Sequence, residues 1–281
     1  MIKVIVLSDN REGATGLGTE HGLSVYVETD NHKLLLDTGA SDLFLRNAQI
    51  LGVNLAEVDY VFISHGHRDH IGGLPYFLQV NDKAQIILSP FAVARRFVSK
   101  QNGWHDISLD FDLSNYANRL LLVEGALQIG VEIRIFSNVS TRFKRPIANK
   151  LLFARNKVGR LISDTFTHEL IFTLTIHDKI FDFSGCAHNG LLNIIETVTL
   201  KCGQPPHWVM GGFHLLDPIK DAFFESELEI IAIADYLNNN YPATQFFTSH
   251  CTGNNILRVM NDRMKSQVTP FHSGYAFLET D

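Results

Sequence analysis

The sequence predicts an α/β protein, a four-layer αββα sandwich in which two sheets pack together with helices outside. Two observations predict this class. Short β-branched or apolar runs alternate, in both halves of the chain, with stretches whose apolar residues follow helical spacing. The chain also contains no Pro/Gly/Ser-rich linker, no low-complexity segment and no repeat of about 20–50 residues. We therefore expect a single domain over residues 1–281.

The individual elements follow from the same patterns. Apolar runs bounded by turn residues predict strands at Val4–Leu7, Leu23–Glu28, Lys33–Leu36, Tyr60–Ile63, Gln85–Leu88, Leu120–Glu124, Leu127–Ser137, Glu169–His177, Lys179–Ser184, Trp208–Met210, Gln245–Thr248 and Ala276–Leu278. Helical spacing predicts a helix that Ser41 can cap, a second from Leu74, and others near Leu191–Leu200, Ala222–Leu237 and Asn254–Met264. Residues 100–118 and 140–163 lack a clear period, and we expect lid or insert segments there.

Composition excludes several classes of protein. Apolar residues make up 45% and charged residues 19% of the 281, which excludes disorder and collagen-like repeats. A net charge of −6 does not favour a nucleic-acid binder. Apolar runs are too short for membrane spans, and the N-terminal residues lack the pattern of a signal peptide. The three cysteines are expected to be free thiols in the reducing cytoplasm.

One segment departs from the acidic balance. Residues 140–163 contain seven Lys or Arg and no Asp or Glu. Two interpretations stay open at this point, a solvated surface loop or hairpin, and an electropositive wall or lid over a site for an anionic substrate. The second would give Arg145 and Lys150 a role in substrate binding.

A cluster of metal-ligating side chains follows the predicted strand Tyr60–Ile63. His65, His67, Asp69 and His70 fall within six residues, ahead of two glycines. Neutral imidazole nitrogen and carboxylate oxygen are ligands that zinc, iron and manganese accept. Because alternate residues of an extended segment share a face, His65 and His67 suit one ion, and Asp69 with His70 can serve a second. The pattern therefore predicts a metal centre built on nitrogen and oxygen donors.

The motif from His65 to Gly73 resembles the metal-binding signature of the metallo-β-lactamase-fold hydrolases. The run from Leu34 to Gly39 resembles the strand-end Asp-Thr-Gly of that superfamily, which implies that Asp37 supports the metal-binding loop. By the same resemblance His188, in the run Ser184–Gly190, completes the first site, and His250, in Thr248–Gly253, joins Asp69 and His70 at the second. The four motifs span residues 34–253.

A narrower resemblance joins Asp9-Asn10, Glu20–Ser24, Gly211–Leu215 and His250–Gly253. Together they are similar to a branch labelled dihydropterin–ribofuranosylaminobenzene-phosphate synthase-like. The superfamily usually has a bridging Asp where this chain has His214. We hypothesise that His214 is a second-site ligand or a substrate contact. The alternatives are that Asp217 takes that place, or that only one metal binds tightly.

Weaker candidates complete the site. His21 either caps the strand that follows or lines the pocket, and Asn189 precedes a predicted helix whose N–H groups could hold a phosphate. Cys186 and Cys251 each lie within two positions of a proposed ligand, so thiolate ligation is an alternative, but His188 and His250 already fit the motifs. His168 and His272, like the remaining histidines, are not predicted to bind metal.

These features predict a metal-dependent hydrolase with two divalent ions, zinc being favoured and iron or manganese the alternatives. A metal-activated hydroxide, assisted by Asp69, would attack a small anionic, phosphate-bearing ester or phosphodiester. Alternatives are lactone or thioester hydrolysis, pterin-linked synthase chemistry implied by the branch resemblance, and a non-catalytic metal or ligand sensor. No membrane or nucleic-acid partner is expected, and a homo-oligomer is left open.

Overall fold

The computed structural model describes residues 1–13, 15–219 and 222–280. The chain divides into two compact units, each assembled from separate stretches. The first unit holds Met1–Gly125, Leu152–Leu170 and His272–Asp281, and the second holds Ala126–Leu151 and Ile171–Phe271. Whether the chain forms one domain over residues 1–281 stays a prediction.

The described residues form strands and helices in alternation. The strands are β1 Ile2–Ser8, β2 Ser24–Thr29, β3 Lys33–Leu36, β4 Tyr60–Phe62, β5 Gln85–Leu88, β6 Phe97–Ser99, β7 His105–Asp106, β8 Leu120–Leu122, β9 Ala126–Ile129, β10 Ile133–Phe136, β11 Leu152–Arg155, β12 Leu161–Ser163, β13 Ile171–Ile176, β14 Lys179–Ser184, β15 Trp208–Gly211, β16 Gln245–Thr248, β17 Val268–Pro270 and β18 Ala276–Glu279. The α-helices are α1 Leu43–Ile50, α2 Arg68–Ile71, α3 Leu74–Val80, α4 Pro90–Ala94, α5 Leu191–Cys202, α6 Glu227–Asn240 and α7 Asn254–Met264.

The first unit is built on a sheet with the strand order β18-β1-β2-β3-β4-β5-β8. Strands β3, β4, β5 and β8 run parallel, so crossover connections join them, and α1, α2, α3 and α4 lie in those connections. The carboxyl ends of β3 and β4 therefore meet at one edge, where Asp37 and Ser64 follow the strands. A smaller sheet of the same unit has the order β12-β11-β6-β7.

Apolar burial holds this sheet to its helices. Leu35, Val61 and Ile86 of the parallel strands pack in one cluster with Phe44 of α1 and Phe77 of α3, and all five are buried. A fully buried side chain of this size stabilises the fold by about 1.5–3 kcal/mol relative to exposure. The packing keeps the carboxyl edge of β3 and β4 in place.

The second unit is built on a sheet with the strand order β17-β16-β15-β14-β13-β10-β9. Strands β9, β10, β13 and β14 are antiparallel, whereas β14, β15, β16 and β17 are parallel. The loops after β14, β15 and β16 therefore leave the same edge of the sheet. They carry His188, His214 and His250, respectively.

Most predicted element bounds agree with the structure. Strands β5, β14 and β16 and helix α7 have the predicted bounds. The prediction of one strand over Leu127–Ser137 is wrong, because the chain turns at Gly130, with a φ of 57°, and forms the two strands of the β9–β10 hairpin. Helix α6 begins at Glu227 and not near Ala222, because Ser226 and Glu229 form a capping box there. Among the described residues, no helix is long and apolar enough to cross a membrane.

The two aperiodic stretches contain short elements. Residues 100–118 hold β7 and a 3₁₀ segment, Ser114–Arg119, and the stretch 140–163 holds another, Ile147–Leu151. Strands β11 and β12 then form an antiparallel hairpin of the first unit. A lid function for either stretch stays a prediction.

Candidate metal centre

The loop after β4 gathers three imidazoles in the first unit. The ring centroid of His65 lies 4.6 Å from that of His67 and 4.1 Å from that of His70, and all three residues are buried. Asp69 Oδ2 lies 3.5 Å from His70 Nε2, and its side chain is 19% exposed. The four predicted ligands of this loop are therefore close together, with the carboxylate as the member most accessible to solvent.

Asp37 organises this loop from the end of β3, as the resemblance implies. Its Oδ1 accepts a hydrogen bond from Ser64 N at 2.7 Å, and its Oδ2 accepts from Ser64 Oγ at 2.7 Å and from His70 Nδ1 at 2.6 Å. Since Ser64 Oγ donates to Asp37, it accepts from His65 Nδ1, 2.9 Å away. One carboxylate thus fixes both rings with Nδ1 as the hydrogen-bond donor, which leaves Nε2 as the atom that a metal ion would take.

The glycines of the signature allow close backbone contact. A Cβ atom on Gly73 would lie 2.0 Å from the carbonyl oxygen of Thr38, and one on Gly66 would lie 2.6 Å from that of Ala92. Neither position has room for a larger residue. The sequence pattern His-X-His-X-Asp-His-X-Gly-Gly therefore reflects packing against β3 and its following turn as well as ligand chemistry.

A second carboxylate, which no sequence pattern indicates, supports His67. Asp164 Oδ2 lies 3.5 Å from His67 Nε2 and accepts a hydrogen bond from His168 Nε2 at 3.0 Å. His168 Nδ1 accepts from Gly66 N at 3.0 Å, which sets its tautomer. The side chains of Asp164 and His168 are fully buried. His168, not predicted to have a role, therefore braces the loop, and His67 presents Nδ1 as its ligand atom.

The protonation of these groups follows from burial and charge. Burial lowers the pKa of His65 well below its usual value, and the neighbouring His70 and His67 lower it further. Burial also acts to lower the pKa of His70, but Asp69 and Asp37 outweigh it and raise this pKa to about 10. Burial acts to raise the pKa of Asp164, and hydrogen bonds from His168 and His67 hold it well below its usual range. The Asp164 carboxylate is therefore ionised at neutral pH.

Asp164→Asn is expected to lower divalent-metal affinity by about 10–100-fold, because an amide orients His67 and His168 less well than a carboxylate. Competition titration against a chromophoric chelator measures this. Asp106→Asn is the matched control, since Asp106 Oδ1 accepts from Ser108 N two residues on, just as Asp164 Oδ1 accepts from Phe166 N. Equal affinities of D164N and D106N would show that Asp164 has no positioning role.

In the second unit, hydrogen bonds join the three loops that leave the parallel edge. Gly212 N donates to Gly185 O at 2.8 Å, and Phe213 N donates to Thr252 Oγ1 at 3.0 Å. His250 and His214 are both buried and have positive φ values of 50° and 49°. Non-glycine residues adopt this conformation at a cost that the surroundings must offset, and such residues cluster at functional sites.

Asn149 holds His188 through two hydrogen bonds. Asn149 Nδ2 donates to the carbonyl oxygen of His188 at 2.8 Å, so Oδ1 is the acceptor for His188 Nδ1, 3.0 Å away. His188 therefore has its lone pair on Nε2. No local sequence pattern indicates Asn149, because it lies 39 positions from His188 in the chain.

His214 is the residue that stands where the superfamily usually has a bridging Asp. Its ring lies 4.2 Å from that of His188, centroid to centroid. Neither ring nitrogen has a hydrogen-bond partner among the described residues. Asp217, the alternative, accepts hydrogen bonds from Asn255 N at the start of α7, at 3.1 and 3.3 Å. The Asp217 carboxylate thus binds a backbone N–H group in the first turn of α7.

The weaker candidates differ in exposure and in hydrogen-bond partners. His21 is exposed, accepts from Asn10 Nδ2 at 3.0 Å, and has Nε2 3.4 Å from Asp69 Oδ2. Lys150 Nζ donates to the carbonyl oxygen of Phe223 at 2.7 Å. Arg145 is exposed and Asn189 is buried, with its carbonyl oxygen accepting from Asn193 Nδ2. His21 lies beside a predicted ligand, and substrate contacts for the other three stay predictions.

Comparison with known proteins supports the motif resemblance. A model of the metallo-beta-lactamase superfamily matches residues 17–122. The crystal structure of Tm1679, a metal-dependent hydrolase of the β-lactamase superfamily, is similar to the chain with a TM-score of 0.82 at 26% identity, and the match covers 100% of both chains. The chain has the metallo-β-lactamase fold. The predicted fold class and the resemblance to this superfamily are confirmed.

Two curated relatives match this chain over nearly its whole length. A 7,8-dihydropterin-6-methyl-4-(β-D-ribofuranosyl)-aminobenzene-5'-phosphate synthase of Methanocaldococcus jannaschii is 22% identical, over 97% of this chain and 95% of its own length. An uncharacterized protein of the same organism is 26% identical, over 90% of this chain and 91% of its own length. The chain is therefore similar to a synthase as well as to a hydrolase of the superfamily.

Proposed function

We propose that the chain is a metal-dependent hydrolase of a small anionic, phosphate-bearing ester or phosphodiester. The observation that supports this most is the loop of His65, His67, Asp69 and His70, whose imidazoles are buried together and oriented by carboxylates. Apolar side chains would pack this buried space better than three imidazoles, so packing does not explain the trio. The similarity to Tm1679 supports the same proposal.

The residues present fit divalent metal ions. Imidazole nitrogen and carboxylate oxygen suit zinc, with iron or manganese as alternatives. The buried ring of His214 has no hydrogen-bond partner among the described residues, so its nitrogens are suited to bind a metal ion. We propose that these ions bind the predicted ligands, which are His65, His67, Asp69 and His70 in the first unit and His188, His214 and His250 in the second. When bound, such ions supply Lewis acidity and lower the pKa of a water ligand toward about 7.

The side chains of the first unit have separate tasks in this proposal. Asp37 and Asp164 hold the ring orientations of His70 and His67. Asp69 binds metal, orients the attacking water, or does both. His21, whose Nε2 lies 3.4 Å from Asp69 Oδ2 and whose side chain is 68% exposed, can exchange a proton between that carboxylate and solvent.

Charge supports the assignment of an anionic substrate. Lys144, Arg145 and Lys150 are exposed cations of the second unit, in a stretch that carries no acidic residue. Lys150 keeps N–H donors in addition to the one bonded to Phe223 O, because an ammonium group has three. Such cations raise the local concentration of anionic substrates in a salt-dependent manner.

Assay of the metal-loaded protein tests this function. We expect turnover of bis(p-nitrophenyl) phosphate, loss of that activity after chelation, and recovery on adding zinc, iron or manganese. A lactone and a thioester substrate in parallel cover the other hydrolytic alternatives. Tight metal binding without turnover of any substrate would contradict the hydrolase proposal and favour a non-catalytic sensor.

Synthase chemistry is the second candidate, favoured by the 22% identity to the Methanocaldococcus jannaschii synthase over 97% of the chain. Its product, as named, carries a phosphate, so an anionic substrate suits both candidates. Incubation with a pterin pyrophosphate donor and a phosphorylated ribofuranosyl-aminobenzene acceptor should give a joined product if this candidate is correct. Formation of that product without phosphodiester turnover would replace the hydrolase proposal.

A further inference from the structure

The thiol of Cys186 lies beside two predicted histidine ligands in the second unit. Cys186 Sγ and one ring nitrogen each of His188 and His214 lie within 4.8 Å of one another. Zinc binds thiolate sulfur at about 2.3 Å and imidazole nitrogen at about 2.0–2.1 Å, so ligands of one ion are separated by at most roughly 4.4 Å. Small side-chain adjustments would bring all three atoms to one ion.

Burial of the His214 ring costs free energy unless its nitrogens bind a ligand. Cys186 is 2% exposed and His214 is 8% exposed. Neither nitrogen of the His214 ring has a hydrogen-bond partner among the described residues, although buried polar groups in folded proteins are nearly always paired. His214 also keeps a φ of 49°, stabilised by its backbone N–H, which donates to Cys251 Sγ at 3.2 Å. The structure thus fixes the His214 imidazole in a position where it can bind a ligand.

His188 presents the matching donor atom. Because Nδ1 donates to Asn149 Oδ1, Nε2 carries the lone pair that a metal requires. His188 and His214 have ring centroids 4.2 Å apart, and Cys186 precedes His188 by two residues in the same loop. Two imidazoles and a thiol therefore converge from two loops of one sheet edge.

We propose that Cys186 is a metal ligand, binding one ion as a thiolate together with His188 and His214. As the sulfur–metal bond forms, the S–H bond breaks and its proton passes to solvent. This inference rests on the proposed metal-dependent function and changes the predicted donor set, from nitrogen and oxygen alone to one that includes sulfur. A thiolate favours zinc over manganese, whereas oxygen donors do not.

Cobalt(II) substitution of the full chain tests the inference directly. Thiolate ligation gives a sulfur-to-cobalt charge-transfer band in the near ultraviolet, which imidazole and carboxylate ligands do not give. We expect this band in the wild-type protein and its loss in Cys186→Ser, with zinc affinity lowered at least by the ~10–100-fold that loss of a supporting residue costs. Cys202→Ser is the matched control, because Cys202 ends α5.

The three cysteines of the chain allow assignment by elimination. If Cys186→Ser does not fold by circular dichroism, the double variant Cys202→Ser/Cys251→Ser retains Cys186 as its one thiol, and the band should persist there. Cobalt binding without the band, or a band that survives in folded Cys186→Ser, would overturn the inference and leave the proposed function intact. Failure of the wild-type chain to bind cobalt, zinc or manganese would overturn both.

Discussion

Asp69→Asn is expected to lower kcat/KM of the metal-loaded protein for a phosphodiester by about 10²–10⁴-fold, the range for loss of a positioned acid–base group. Asp69 Oδ2 lies 3.5 Å from His70 Nε2 and 3.4 Å from His21 Nε2, so one carboxylate connects a buried predicted ligand with a solvent-exposed imidazole. An amide keeps the shape and removes the charge. Steady-state kinetics with metal content measured on the same sample test the prediction.

Asp110→Asn is the control for this variant, because it removes a carboxylate of the same unit whose side chain is 95% exposed. We expect its kcat/KM to equal that of the wild type. The metal content of Asp69→Asn then separates two tasks of Asp69. A lost ion identifies a ligand, and a retained ion with lowered kcat identifies a group that orients water. Wild-type kinetics in Asp69→Asn would remove this residue from the site.

Asp37→Asn is expected to lower metal affinity by about 10–100-fold and to destabilise the fold. The carboxylate accepts three hydrogen bonds, from Ser64 N, Ser64 Oγ and His70 Nδ1. An amide can accept through one oxygen only, so its NH₂ group would face a donor. Hydrogen bonds to charged groups contribute about 1.5–3 kcal/mol each, and losing one lowers the free energy of unfolding by that order. Urea denaturation and chelator competition measure the two effects.

Asp59→Asn provides the matched control for Asp37→Asn. Asp59 precedes β4, at the opposite end of that strand from Ser64, and its Oδ2 accepts from Lys33 N at 3.0 Å. We expect Asp59→Asn to change stability modestly and metal affinity not at all. If both variants lose affinity equally, the effect of Asp37 is a general loss of stability and the positioning role is wrong.

Local patterns predicted much of the fold. Gln85–Leu88 and Lys179–Ser184 are apolar or β-branched runs between turn residues, and both are strands with the predicted bounds. The predicted start of α6 near Ala222 is wrong. The capping-box residues Ser226 and Glu229 begin the helix at Glu227, and apolar spacing alone does not indicate this boundary. Strand β7 escaped notice since both of its residues are exposed, so burial imposes no period on them.

The candidate site was predictable where its residues are close in sequence and not elsewhere. His65, His67, Asp69 and His70 share one loop, so their spacing revealed them. Asp164 and His168 reach the same loop across about a hundred residues, and no local pattern encodes that pairing. Asn149 and the thiol of Cys186 acquire meaning only through the loops that the second sheet brings together.

The division of the first unit into three stretches bears on how the protein is made. Strand β18 pairs with β1, although 267 residues separate Ser8 from Ala276, and β11 pairs with β6 from a separate stretch. When only residues 1–125 have left the ribosome, the edge of β1 that later pairs with β18 is therefore still open. Open edges invite pairing with other chains. We expect the nascent first unit to depend on chaperones until residues 272–280 emerge, and to fold slowly because its contacts are so non-local.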